Sequence, residues 1–308
     1  MSTRSSRHAS QSNRAAAGGS TGPAAGAAES FETYRSYLFA IAYRMLGSAM
    51  DAEDMVQETY LRYQSTPPES IVSLKAFLAT ILVRLCLGQL HLAYRDRETY
   101  LGPWLPEPIY TASTDERVEA DETLSLAFLV LLEQLQPVER VVFLLREVFD
   151  YDYPEIAALL DKSEVACRQW FSRAKKHLTE DRPRYRAAPE VQRRLLAEFL
   201  HAAQAGEMAS LMDLLSEDVV LWADGGGKIK GAATHPIRGR AEVAQFTLGV
   251  TRRFFETGNR AEIVEVNSQP ALLFRTRDRV FFVLTIDAEG GRIHALRGVA
   301  NPDKLGHV

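Results

Sequence analysis

Apolar residues recur at helical spacing along the first third of the chain. Leu38, Ile41, Ala42 and Met45 fall on one helix face, and Met55, Val56, Thr59, Tyr60 and Tyr63 do the same after Asp51. Phe77, Ile81 and Leu85 mark a third stripe, separated from the second by Pro67 and Pro68. The pattern predicts an all-α domain over residues 29–97. Helical spacing resumes over 122–186, where Pro137 opens a helix with Glu139 in its first turn. The period changes beyond residue 187. Two amphipathic helices within 190–215 precede strand-like segments at 218–223, 261–266, 271–275, 279–286 and 293–299, with a helix over 240–255 among them. Helices followed by an antiparallel run of strands predict an α+β domain over 187–308.

The segments between these patterns differ in kind. Residues 1–28 are rich in Ser, Ala, Gly and Arg, with too few large apolar groups to offset the entropy of ordering, and read as a disordered tail without the apolar stretch of a secretory signal. Residues 98–121 form a linker that Pro103, Pro106 and Pro108 keep extended. Trp104, Leu105, Ile109 and Tyr110 make that linker too apolar to be merely solvated, so it is expected to dock on a surface.

The segment from Tyr151 to Leu178 reads as a helix-turn-helix. Ile156, Ala157, Leu159 and Leu160 give a short first helix, Asp161-Lys162-Ser163 a turn, and Ser163 an N-cap for the second helix. In that second helix Cys167, Trp170, Phe171, Ala174 and Leu178 share one side. Arg168, Gln169, Ser172, Arg173, Lys175 and Lys176 lie elsewhere, as a helix entering a major groove requires, where Arg reads guanine and Gln reads adenine. A solvated basic helix packed on its neighbour shows the same two faces. The short first helix, the capped turn and the basic second helix together favour DNA binding.

Composition adjusts this picture modestly. The chain has 308 residues, enough for two or three domains, a hydrophobic fraction of 46% and a formal net charge of −4. An acidic whole argues against a general nucleic-acid coat, but residues 162–186 carry eight Lys/Arg against three Asp/Glu, so a DNA-reading surface is local. The two cysteines, Cys86 and Cys167, sit in apolar helical patterns and form no metal-ligand cluster; no metal site and no cofactor are expected, and a reducing cytoplasm fits. The longest apolar run, 76–87, is short and interrupted by Arg84, so no membrane span is expected.

Five strings, in order, resemble one family. FETYRSYLFAIAYRMLGSAMDAEDMVQETYLRY is similar to the second conserved region of extracytoplasmic-function sigma factors, and LLEQLQPVERVVFLLREVF with the helix-turn-helix is similar to their fourth. GPWLPEP at 102–108, DGGGK at 224–228 and NPDKL at 301–305 resemble the subfamily with a fused SnoaL-like domain of the nuclear transport factor two-like fold. The resemblance covers residues 30–305 and implies two all-α sigma domains followed by a cone-shaped α+β domain. It implies that Asp51, Glu53, Asp54, Gln57 and Glu58 bind core RNA polymerase, while Asp51 also suits a plain helix N-terminus. It implies that residues 75–97 read and open the minus-ten element, with Arg84, His91, Tyr94, Arg95 and Arg97 as candidates, and that the helix-turn-helix reads the minus-thirty-five element. The 87–98 stretch is less basic than is usual in the family, which implies weaker electrostatic grip on the minus-ten element.

Within the C-terminal domain, Asp224, His235 and Trp222 are the residues a SnoaL-like enzyme would use, but DGGGKIKG reads better as a strand and turn, and no catalytic residue is assigned. A regulatory reading assigns interdomain contacts to Trp104, Leu105, Pro106, Glu107 and Pro108, to Asp224, Gly225, Gly226, Gly227 and Lys228, and to Asn301, Pro302, Asp303, Lys304 and Leu305. Three functions stay open at this point. They are a sigma factor regulated in cis, a SnoaL-like cyclase or isomerase fused to a DNA-binding module, and a ligand-sensing repressor. The expected partners are core RNA polymerase and promoter DNA, in the cytoplasm, with an unidentified small-molecule ligand of the C-terminal domain left open.

Overall fold

The computed structural model describes residues 23–111, 124–180 and 187–308. Most of the expected tail and parts of the linker and of the stretch before Arg186 lie outside the described residues. Helix α1 spans Pro23–Leu46, so its first turns occupy the end of the segment assigned to the tail. Ser48 then caps α2 (Ala49–Gln64), its hydroxyl accepting from Asp51 N, as an N-cap serine should. Helix α3 spans Leu74–Glu98. Its stretch Leu74–Ala93 is long and apolar enough, by length and composition alone, to cross a membrane. In the fold, its Leu78, Leu82, Val83, Cys86 and Leu90 sit in the helical core. The buried face of α3 is thus turned from the Phe77-Ile81-Leu85 stripe, which only flanks it. A helix apolar on several sides has no single face for periodicity to select.

Helices α4 (Leu126–Leu132), α5 (Pro137–Glu147), α6 (Tyr153–Leu160) and α7 (Glu164–Glu180) follow. Asp152 and Glu155 form a capping box at the start of α6. Asp161 ends that helix in the left-handed conformation, and Ser163 Oγ accepts from Ala166 N at the start of α7. The helix-turn-helix is therefore present with the expected Ser163 cap, and the capping box at Asp152 adds to it.

The two helical domains are not apart. Leu38, Ile41, Leu78 and Leu82 share one continuous core with Leu132, Val142, Leu145, Ile156 and Leu159. Polar contacts cross the same junction: Tyr37 Oη and Tyr151 Oη are 2.8 Å apart, and Arg84 Nε donates to Leu159 O. Arg140, 2% exposed, donates to Arg44 O, and the Arg44 guanidinium lies over the Phe149 ring.

The C-terminal domain comprises α8 (Pro189–Ala205), α9 (Met208–Leu214), β1 (Leu215–Asp224), β2 (Ile237–Arg238), α10 (Arg240–Glu256), β3 (Arg260–Val266), β4 (Gln269–Arg275), β5 (Val280–Glu289) and β6 (Arg292–Val299). The sheet order is β2-β1-β6-β5-β4-β3. The expected strands are present, with one topological correction: β1 runs parallel to β6, so the sheet is mixed rather than wholly antiparallel. The helices between β1 and the later strands permit that pairing, which needs a crossover rather than a hairpin.

Strand alternation splits the apolar side chains between two faces. Leu272, Phe274, Leu284, Ile286 and Leu296 face the helices α8 and α10 with Leu195, Phe199 and Val243. Ala271, Leu273, Val283 and Val299 face the other way. An apolar second face must be covered, and the linker covers it: Leu105, 2% exposed, packs there with Val266 and Leu305.

Candidate functional site

The linker docks through a simple consequence of its prolines. Pro106 and Pro108 have no N–H, so within 105–109 only residues 105, 107 and 109 can donate. Each finds an acceptor. Leu105 N donates to Asp224 Oδ2 at 2.9 Å, Glu107 N to Gly47 O at 2.8 Å, and Ile109 N to Asn267 Oδ1 at 3.1 Å. Two donors thus go to the C-terminal domain and one to the first helical domain. Tyr110 then bridges to Val266 at the end of β3, extending the sheet edge.

Asp224, at the end of β1, is fully buried and its carboxylate is saturated. It accepts from Tyr100 Oη at 2.5 Å, Leu105 N, Gly226 N at 3.0 Å and Lys304 Nζ at 2.7 Å. Lys304 also donates to Leu105 O. Burial lowers the Lys304 ammonium to about 8, against the opposing pull of Asp224. Burial and the bond to Asp224 push the Tyr100 hydroxyl up. The glycines after Asp224 are demanded by geometry. Gly226 and Gly227 adopt φ of 59° and 70°; a Cβ on Gly226 would meet Asn301 Nδ2 at 2.5 Å, and one on Gly227 would meet the Leu101 side chain at 2.9 Å. Lys228 pairs with Asp303, and Asn301 Nδ2 donates to Tyr100 Oη. The strings at 102–108, 224–228 and 301–305 therefore meet at one point.

Glu107 forms the second contact. Its Oε2 accepts from Ala49 N at 2.8 Å, Met50 N and Ser48 Oγ, so a buried carboxylate sits on the positive N-terminus of α2. Its other oxygen lies 2.6 Å from His307 Nδ1, and His307 Nε2 is 3.6 Å from Glu53 Oε1. The end of the C-terminal domain thereby touches the acidic face of α2.

Arg97, expected to face DNA, points into the same junction. It pairs with Glu133, donates to Leu46 O and lies 3.7 Å over the Trp104 ring, which Lys304 also approaches at 4.1 Å. Burial first, and Arg140 second, lower its guanidinium to about 9, leaving it charged at neutral pH. Arg84 and His91 are exposed on α3; Tyr94 and Arg95 lie on α3, and their side chains are outside the described residues. Arg168, Gln169, Ser172, Arg173, Lys175 and Lys176 are all exposed on α7, with Arg168 over the Tyr153 ring and Lys175 paired to Glu147. Glu53, Asp54 and Gln57 are exposed on α2, Glu58 pairs with Arg62, and burial raises the Asp51 carboxyl. His235 is exposed, and Trp222 lies under Arg297.

Sequence reasoning missed Asn267. Fully buried in the left-handed conformation at the β3–β4 turn, it donates to Tyr43 Oη and Leu124 O while accepting from Ile109 N. It thus joins both helical domains and the linker. Asn267→Gly keeps the backbone conformation and removes all three bonds. Loss of about 1–3 kcal/mol is expected from the stranded partners, read as faster hydrogen exchange at the Ile109 amide. Unchanged exchange would show that water replaces the side chain.

The sigma-70 region 2 model matches residues 30–97, and the sigma-70 region 4 model matches residues 125–178. ECF RNA polymerase sigma factor SigJ of Mycobacterium tuberculosis is 36% identical over 288 residues, 89% of this chain and 92% of that protein. The chain belongs to the extracytoplasmic-function sigma factors. Probable ECF RNA polymerase sigma factor SigI of the same organism is 29% identical over 279 residues, covering 89% of this chain and 93% of that protein. The crystal structure of SigJ superposes with a TM-score of 0.69 at 32% identity, over 90% of this chain and 97% of that one. In this sigma factor, α1–α3 are region 2, α4–α7 are region 4, and α8–β6 form the nuclear transport factor two-like domain. Its relatives are transcription initiation factors, and it is one of them rather than an enzyme.

Proposed function

We propose that this sigma factor uses α7 to read the minus-thirty-five element and α3 to read and open the minus-ten element. The acidic face of α2 binds core RNA polymerase in the cytoplasm, and the C-terminal domain regulates the whole in cis. The observation that carries the regulatory reading is the continuous core joining α1 and α3 to α5 and α6, with the linker clasped by Asp224, Lys304 and Asn267. Promoter elements about 25 base pairs apart are roughly 85 Å apart along B-DNA. A packed body of about 150 residues has a radius of gyration near 15 Å and is roughly 40 Å across. The two reading helices cannot reach both elements from one such body, so region 2 and region 4 must part before a promoter is bound. A domain that grips the linker between them sets how readily they part.

The test is transcription by core RNA polymerase on a genomic promoter library, with the full chain and with a version ending at Arg186. Promoter-specific transcripts that differ at least tenfold between the two support regulation in cis; equal transcription would overturn it. Absence of any transcript from both would overturn the assigned DNA and polymerase surfaces. Arg173→Ala is expected to cost about 1–3 kcal/mol of minus-thirty-five binding and to relax specificity there, as a base-contacting Arg does. A footprint of unchanged sequence preference would assign Arg173 to backbone contact.

A further inference from the structure

A cavity of about 350 Å³ lies between the helix-facing side of the sheet and α10, within the span of roughly 300–1,000 Å³ typical of small-molecule sites. Six phenylalanines line it: Phe199, Phe246, Phe254, Phe274, Phe281 and Phe282. Their rings are already set against one another, Phe254 with Phe274 at 5.3 Å and Phe281 at 5.7 Å, and Phe274 with Phe282 at 5.5 Å. Four threonines and Asn259 interrupt the apolar wall, and of these Thr257, Thr276 and Asn259 bond to nearby backbone carbonyls. Thr247 and Thr251, one turn apart on α10, are 5% and 6% exposed, and neither has a hydrogen-bond partner among the described residues. Both line the cavity, and a hydroxyl there can donate to or accept from a polar atom of a bound molecule. The charged groups of the lining are Lys230 and Arg253, both exposed and of one sign. Among the described residues no Asp, Glu or His lines the cavity.

We propose that this cavity binds a hydrophobic organic anion, a flat apolar body carrying a carboxylate or sulfonate. The body lies among the phenylalanines, a polar substituent meets Thr247 and Thr251, and the anionic group sits between Lys230 and Arg253. Occupancy bears on the linker clasp through the walls. Ala223 and Ala300 of the lining are the chain neighbours of Asp224 and Asn301. Ala232 of the lining stands so near Gly225 that a Cβ there would approach its own to 2.6 Å. Only this second step rests on the cis-regulatory reading; binding itself does not.

The test uses the full chain and 1-anilinonaphthalene-8-sulfonate as the fluorescent probe, with 2-naphthoate as competitor. Saturable binding that 2-naphthoate displaces is expected. Thr251→Phe, which fills the cavity, should weaken the probe at least tenfold while far-UV circular dichroism stays unchanged. The surface pair Lys230→Glu/Arg253→Glu should weaken it about tenfold and leave the neutral probe N-phenyl-1-naphthylamine unaffected. Binding that neither variant alters, or no saturable binding at millimolar probe, overturns the site. Equal loss of both probes in the charge-reversed pair overturns the assignment of an anion. Saturating 2-naphthoate should also change hydrogen exchange at the Leu105 amide severalfold. Unchanged exchange with binding intact overturns the coupling and leaves the site standing.

Discussion

Asp224→Ala should open the clasp. The substitution leaves the Lys304 ammonium, 13% exposed, without its carboxylate, and breaking a buried pair in this way costs about 3–5 kcal/mol. Leu105 N–H and Tyr100 Oη lose their acceptor in the same step. The Leu105 and Glu107 amides should therefore exchange at least about 100-fold faster, since each 1.4 kcal/mol is a factor of ten. Protection retained at both would show that Leu105 packing alone holds the linker. Lys304→Met should do less. It removes a cation whose desolvation was costly, and Asp224 keeps three donors: Tyr100, Leu105 N and Gly226 N. The pH dependence has a definite sign. The docked state holds Lys304 near 8, below its ordinary value of 10.5, so it binds fewer protons than the undocked state between those values. Docking thus strengthens as pH rises from 8 to 10.5, and Lys304 gives it no pH dependence below that window. Amide protection at Leu105, corrected for intrinsic exchange, measures this.

Much of this site could be read from the chain because its parts declare themselves locally. Trp104 and Leu105 among prolines signalled an extended segment needing apolar cover, and the face of β4 and β5 that supplies it is visible in ALLF and VFFVLTI. The cap at Ser163 is local too. What stayed hidden depends on partners far along the chain. Tyr43 donates to Glu107 O and receives Asn267 Nδ2, and nothing near any of these residues announces the other two. His307 gains its place only once the chain end reaches α2. Arg97 looks basic and DNA-facing in sequence, yet Glu133 and Trp104 claim it, because a charge takes the partner that folding brings near. The merged core of regions 2 and 4 was missed because α3 is apolar on more than one side, so its excess face could not be distinguished from ordinary core.

That merged core leads to the second large effect. A Tyr37→Cys/Tyr151→Cys protein joined by a short, reducible bis-maleimide should bind no two-element promoter productively. The positions suit the purpose, since the two hydroxyls meet at 2.8 Å across the junction of α1 with the α5–α6 turn. The native thiols do not compete: Cys86 and Cys167 are buried, and burial pushes both thiols up, away from the reactive thiolate. The uncrosslinked variant loses one hydrogen bond and the Tyr37–Phe149 ring contact, so its closed form is weakened, and it should transcribe at least as well as the native chain. With the tether in place, region 2 and region 4 stay within one body roughly 40 Å across. Promoter-directed transcription should then fall about 100-fold or more and return on reduction, while binding of α7 to an isolated minus-thirty-five duplex persists. Full transcription from the tethered protein would mean that both elements are reached without separation, and the closed arrangement would then have no regulatory consequence. Recovery on reduction, with α7 binding retained throughout, would place control in the separation of the two domains rather than in either DNA-reading surface.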